Sequence, residues 1–246
     1  MRNVIAIVVI GLSLSGTNAL AQSEWPWHKT ADGLHPNGEE QKYLWLLNRA
    51  RQSPHVEADW LASSDEHDVR NGRSFWRVSL PQLKRQFAIL APTPPAAHDV
   101  RLYDAALLHS RDQIRRDTQD HQNQLNRIDG SGFHWLQYRG NVYSYADNAL
   151  MGHAGFNIDW GPGRFGMQTP PGHRYAIMSV DGNYTNVGIA NLVDRNPHSR
   201  VGPNVVTQNF ALADTSIANH YNRFLVGTVW TDRNGNRRYD SGEGHG

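Results

Sequence analysis

Three histidines stand in stretches where an imidazole can meet a ligand: His121 in Gln119-Asp120-His121, His153 in Gly152-His153-Ala154-Gly155-Phe156, and His173 in Pro170-Pro171-Gly172-His173-Arg174. A neutral imidazole can hold a metal ion, and near neutral pH it can also take or give a proton. One histidine on a polar loop is more often a surface or hydrogen-bonded residue. Three such segments in order describe the lining of a cleft. No serine stands with a histidine and an aspartate as a nucleophilic set. Ser110 follows His109 directly on a helix, so their side chains point apart. Arg174 reads as a brace for its own loop.

A second group of chemistry-bearing residues lies near the C-terminus. Asp232, Asn234, Asn236, Asp240 and Glu243 occupy positions 1, 3, 5, 9 and 12 of a loop, with the Arg238 carbonyl at position 7. That is the spacing of a calcium loop. Arg237 stands at the sixth position, where glycine is expected, and Arg233, Arg237 and Arg238 offset the acids. The expected affinity is low, in the ~0.1–1 mM class of extracellular modules. The competing reading is an Asn-Gly turn with solvated charges.

Elements must position these groups. Asn37 is an N-cap for a helix with Glu39 and Glu40 in its first turn and Leu44, Leu47 and Arg51 along one face, ending at Pro54. The stretch 53–97 reads as an insertion with Trp60, Phe75 and Trp76 as isolated anchors. It contains one helix through Leu83, Phe87 and Leu90, stopped by the prolines from Pro92 to Pro95. Val100 to Asp117 has helical spacing, with Leu102, Ala105, Ala106 and His109 on one stripe, and is expected to pack on the first helix. Nine glycines between Gly130 and Gly172 mark turns around a cleft. Tyr184 to Val193 and Val205 to Phe210 read as an antiparallel pair joined by a turn from Asp194 to Pro203, and Phe224 to Trp230 as a third strand.

The chain has 246 residues and no cysteine, which excludes a disulfide scaffold, thiolate metal sites and cysteine nucleophiles. With 24 Lys+Arg against 23 Asp+Glu, it lacks the bulk charge of a nucleic-acid binder. Arg2, the apolar run from Val4 to Leu14, and Ala19-Leu20-Ala21 together read as a signal peptide over residues 1–21. The apolar run is about half of the roughly 20 residues that a spanning helix needs, and no second one follows. After cleavage no membrane span is expected, and the protein is placed in the periplasm or outside the cell. Residues 22–36, with Trp25-Pro26-Trp27, read as irregular.

The ordered series of motifs resembles the CAP superfamily, the cysteine-rich secretory proteins, antigen 5 and pathogenesis-related proteins, in its exported bacterial form with an SCP-like extracellular domain. The segments that carry the resemblance are Glu40 to Arg51 with its Asn-x-x-Arg, Leu102 to Asp117 with Leu-His-Ser, and Gln119-Asp120-His121. They continue through Asn141 to Ala146, Gly152 to Phe156, Ile158 to Gly161, Gly166-Met167-Gln168 with Pro171-Gly172-His173-Arg174, and Val201 to Phe210. The resemblance implies an α+β fold, a three-layer α/β/α sandwich with a central antiparallel sheet, over residues 37–215. A short C-terminal β segment over 222–246 would then be the start of a β-module, cut short, that carries the calcium loop. It also implies a cleft lined by two histidines and two acids, which fall on His121, His173 and Asp159. Gly140 stands where a Gly-Glu-Asn-Val run would place the fourth group.

Two readings of that cleft follow. His121, His173 and Asp159 can hold zinc or another divalent ion with an open position, or they form a hydrogen-bonded patch that shapes a groove. The expectation is a binding module for a peptide, lipid or glycan. The alternatives are a metal-dependent hydrolase and a lipid or sterol carrier.

Overall fold

The computed structural model describes residues 26–28 and 35–245. The signal peptide expected over 1–21 and most of the 22–36 segment lie outside the described residues. Asn37 caps helix α1 (Gly38–Gln52), accepting the amides of Glu39 and Glu40 at 3.0 Å each, while Glu40 Oε2 takes the Asn37 amide at 2.8 Å. This reciprocal capping box satisfies donors that a helix start leaves open. The other Glu40 oxygen accepts the Asn191 amide at 3.1 Å, so the cap also ties α1 to the sheet.

The stretch 53–97 holds three helices where the sequence suggested one: α2 (Pro54–Ser63), α3 (His67–Phe75) and α4 (Leu80–Ala88). Pro54 and Pro81 sit in first turns, where a missing N–H costs nothing, so these prolines start helices rather than break them. After α4 come the two-residue strand β1 (Ala97–His98), α5 (Val100–Arg116), α6 (Gln124–Asp129), β2 (Trp135–Tyr143), α7 (Ala149–Ile158), α8 (Gly172–Ile177), β3 (Asn186–Val193) and β4 (Asn204–Ala213).

The sheet runs β1-β3-β4-β2. β3 and β4 form the expected antiparallel pair, from Asn186 opposite Ala211 to Val193 opposite Asn204, and β2 adds antiparallel to β4. The sheet is not wholly antiparallel, because β1 lies parallel to β3 before turning directly into α5. Alternation along β4 separates two faces. Val206 and Phe210 meet Tyr43, Leu44, Leu47 and Phe156 in the larger core, whereas Ala211 and Ala213 meet Leu102, Ile128 and Phe133. Helices α1, α7 and α8 therefore cover one face, and α5 and α6 the other. The result is the three-layer α+β sandwich.

Helix α5, expected to pack on α1, packs mainly on β3 and β4 of the sheet instead. A Cβ on Gly188 would stand 2.1 Å from the Leu102 carbonyl carbon, so only glycine lets α5 approach β3 this closely. The Asn48-x-x-Arg51 pair is structural. Asn48 exchanges hydrogen bonds with the Ala96 backbone at 2.8 and 3.1 Å, and buried Arg51 donates to the carbonyls of Ile177 and Tyr184 at 2.5 and 2.8 Å. Burial lowers the Arg51 guanidinium to about 9.

The third strand expected over Phe224 to Trp230 does not form. That segment is extended, and its one bridge joins Trp230 to Gly244. It lies against α1, with Gln41 donating to Thr228 at 3.0 Å and Trp45 meeting Trp230 edge to face, and a helix offers no ladder for a strand to join.

Candidate functional site

The last residues of α7 and the first of α8 bring one histidine and one acid together. Asp159 closes α7 in the left-handed conformation (φ 56°). The orphaned carbonyls before it are taken by Arg174, which donates to Asn157 at 2.5 Å and to Ile158 at 2.7 Å while its guanidinium rests 4.8 Å from the Phe87 ring. Arg174 is thus the brace the sequence suggested, and burial lowers it to about 10. Asp159 Oδ2 accepts the His173 amide at 2.9 Å, and Oδ1 lies 2.8 Å from His173 Nδ1. An ionised carboxylate only accepts, so Nδ1 carries the hydrogen, and in the neutral ring the lone pair is on Nε2. Nε2 makes no hydrogen bond among the described residues, and the ring, 17% exposed, faces a cavity.

That cavity has a volume of about 740 Å³. One wall is a single face of α3, with His67, Asp68, Asn71, Gly72 and Phe75 at helical spacing and Trp76 just beyond. The facing wall comes from Tyr143 at the end of β2 and Tyr145 just beyond it, and from Trp160, Gln168 and His173 after α7. Gly72 makes the closure possible, since a Cβ there would fall 2.4 Å from the Trp160 ring. Trp160 donates to the Tyr143 hydroxyl at 3.0 Å, and burial pushes that phenol up to about 12. Tyr145 holds a left-handed backbone (φ 65°), unusual for an aromatic residue, with its ring 57% exposed at the rim. Phe75 is not the anchor expected of it, being 75% exposed on the same rim.

His121 does not line this cavity. Its Nδ1 lies 2.7 Å from Gln124 Oε1, and Gln124 donates onward to Asn209 at 2.8 Å. The Gln124 carboxamide also fills the space beside Gly140, 2.5–2.6 Å from where a Cβ would be. A neutral amide on α6 thus takes the place the resemblance gave to an acid on β2. Gly140 turns towards α6, while Asn141, its neighbour, donates to the His173 carbonyl at 3.1 Å on the opposite face. The contacts holding His121 and His173 therefore belong to opposite faces of β2. Among the described residues no three His, Asp or Glu side chains gather as a metal-ligand set.

His153, expected in the cleft lining, is sealed in the core instead. Its Nε2 lies 2.8 Å from Glu57 Oε1, and Arg49 grips the same carboxylate with two bonds of 2.7 Å. Position 57 lies on α2, 96 residues away in sequence, and no local pattern announced the pairing. His109 bridges the Asp120 carbonyl and Arg127, and Ser110 meets Thr207 at 2.8 Å, so the Leu-His-Ser pair is structural.

The loop from Asp232 to Glu243 turns its oxygens towards its own backbone. Asp232 accepts the amides of Asn236 and Arg237 at 3.1 and 2.9 Å, Asn234 accepts Asn236 at 3.0 Å, and Asn236 accepts Arg238 at 2.8 Å. Glu243 accepts Arg233 at 2.9 Å and Asp240 at 3.0 Å. Asp240 receives Asn234, Asn236 and the Lys42 ammonium, the last at 2.7 Å. Burial works to raise the Asp240 carboxyl, but these donors hold it at about 2.

No protein-family model matches the chain, and no curated protein matches it. Among solved structures it is similar to an extracellular protein containing an SCP domain from Bacillus anthracis str. Ames, with 17% identity and a TM-score of 0.37. The match covers 58% of this chain and 40% of that one, so it spans about two fifths of that protein's length.

Proposed function

We propose that the protein is an exported binding module whose cavity between α3 and the segments after β2 and α7 receives an external ligand. The observation that carries this reading is the cavity itself. A space of about 740 Å³ is walled by five aromatic side chains, and one histidine turns an open nitrogen into it from a buried carboxylate. Sites for small ligands have this form, with apolar walls and a few fixed polar groups. The Asp159–His173 couple fixes the tautomer and direction of one acceptor, which a binding site needs as much as an active site does. Export rests on the segment 1–21, and no described helix is long and apolar enough to cross a membrane.

Two measurements test the reading. Fusion of residues 1–21 to a phosphatase that works only outside the cytoplasm should give active enzyme, and an inactive fusion removes the exported part. The purified protein is expected to leave ester and peptide substrates intact. Hydrolysis that disappears in His173→Ala would make it an enzyme and end the binding-module reading.

A further inference from the structure

We infer that the cavity takes a neutral glycan, an inference that rests on the binding reading above and names its ligand class. Charge decides first. The lining contains no Lys or Arg but two carboxylates, Asp68 and Asp147, so a fatty acid, a phosphorylated headgroup or a sulfated sugar meets no compensating cation. A cationic ligand fares little better inside, because Asp68 is already engaged. Its Oδ1 lies 2.9 Å from His67 Nδ1, and its Oδ2 accepts Asn148 at 2.7 Å. Asp147 stands exposed at the mouth.

Asn71 is spent on His67 and Trp160 on Tyr143, but other polar groups of the lining still have a donor or acceptor to offer. Gln168 makes no side-chain hydrogen bond among the described residues. Gln119 uses its carbonyl oxygen on the Ser144 amide at 2.8 Å, which leaves its NH₂ for a ligand. His173 Nε2 makes no hydrogen bond among the described residues and in the neutral ring offers an acceptor. Two amide donors with one imidazole acceptor match a row of hydroxyls, each of which can both donate and accept. An alkyl chain or a sterol ring in the same space would leave those groups dry and unpaired. The aromatic faces supply the rest. Phe75 and Tyr145 stand exposed on opposite walls, Trp76 and Trp160 line the same space, and the C–H face of a sugar ring stacks on such rings. The volume falls in the range of about 300–1,000 Å³ that encloses a drug-sized ligand, enough for a short oligosaccharide.

The test is an array of neutral, sialylated and sulfated glycans probed with the full chain, followed by calorimetry on the best neutral oligosaccharide. In parallel, oleate uptake is followed by tryptophan fluorescence. The expected result is binding confined to neutral glycans. It should weaken roughly tenfold in Phe75→Ala, whose ring is mostly in solvent, and in Gln168→Leu, with unchanged unfolding curves. Signals that follow sulfate or sialic acid overturn the inference. So does oleate uptake without glycan binding, which leaves a ligand cavity of another class. Silence with both glycans and oleate overturns the inference and the binding reading together.

Discussion

Among the described residues, two of the histidine–carboxylate couples have the same 2.8 Å separation and different surroundings. In the Glu57–His153 couple both side chains are sealed, at 1% and 2% exposure, and every valence is used. Arg49 holds both carboxylate oxygens, and the Asn157 amide approaches His153 Nδ1 at 3.2 Å. Burial works to raise the Glu57 carboxyl, yet His153 and Arg49 outweigh it and hold it at about 2, while burial lowers His153 from its usual range. In the Asp159–His173 couple the acid is equally buried, but the ring's second nitrogen faces open space. What the second nitrogen meets, rather than the couple's own geometry, separates a structural pair from a chemical handle.

Deleting each acid should expose that difference most strongly. Glu57→Ala strands the Arg49 charge and a buried imidazole, and breaking a buried ion pair costs about 3–5 kcal/mol. Asp159→Asn keeps the volume and an acceptor but loses a charge-assisted bond, for about 1–3 kcal/mol. Urea unfolding measures both, and equal losses would erase the distinction. Ligand uptake should be unchanged in whatever Glu57→Ala protein remains folded and impaired in Asp159→Asn, because only the second couple turns a nitrogen to the cavity.

The same contrast shows what the sequence could reveal. Helix α1 was legible because its capping box lies within four consecutive residues, and α5 because its apolar stripe persists over four turns. Helix α3 was not. It has no side-chain cap, carries Gly72 mid-helix, and fully buries only Val69, so tertiary contact with α7 and Trp160 sustains it against weak propensity. Half of the cavity was hidden with it. That His173 and Asp159 share a site was legible only through the resemblance, which had set both in one cleft together with His121. The place of His121 was not, because Gln124 fills the space beside Gly140 from a different helix. Phe224 to Trp230 does alternate inward and outward as a strand would, yet only its last residues find a neighbour, at Gly244, and pairing is a property of neighbours.

Acid should act on the sealed histidines. Burial holds His109 at about 4 and His153 below its usual range, whereas in the unfolded chain both titrate near 6.5. Between those values the unfolded state binds more protons, so stability falls as pH drops from about 6.5 towards about 4. Glu57, held at about 2, keeps its charge throughout and does not oppose the trend. Urea midpoints at pH 7, 6 and 5 should therefore decline in order. A flat profile would mean that these rings are open to solvent, and the sealed half of the comparison would fail.

At the cavity mouth the expected effect is smaller and of opposite sign. Tyr145 pays for its exposed, left-handed position with backbone strain of about 1–2 kcal/mol, since a Cβ crowds the carbonyl there. Tyr145→Gly should relieve that strain, offset in part by the greater freedom of glycine in the unfolded chain. A gain of about 1 kcal/mol with weakened ligand uptake would show that the rim is built for contact at the expense of stability. A loss of stability would show that the ring packs structurally, and that the mouth resembles the sealed site more than the open one.

The smallest effect belongs to the loop from Asp232 to Glu243, a third place where a carboxylate is held by polar neighbours. There the cation at hand is Lys42, whose ammonium sits 2.7 Å from Asp240, and the loop's other oxygens accept backbone amides. A calcium ion must compete with that ammonium, so at 1 mM calcium the stabilisation by mass action should stay below about 1 kcal/mol. Lys42→Met removes the competitor and leaves Asp240 needing a counter-charge, so the calcium-dependent rise in melting temperature should grow. In Asp232→Ala it should vanish, because position 1 of the loop loses both oxygens. A rise of equal size in wild type and Asp232→Ala, or none in Lys42→Met, would reduce the loop to an Asn-Gly turn closed by its own amides. Its carboxylates would then stand with Glu57 as structural and not with Asp159.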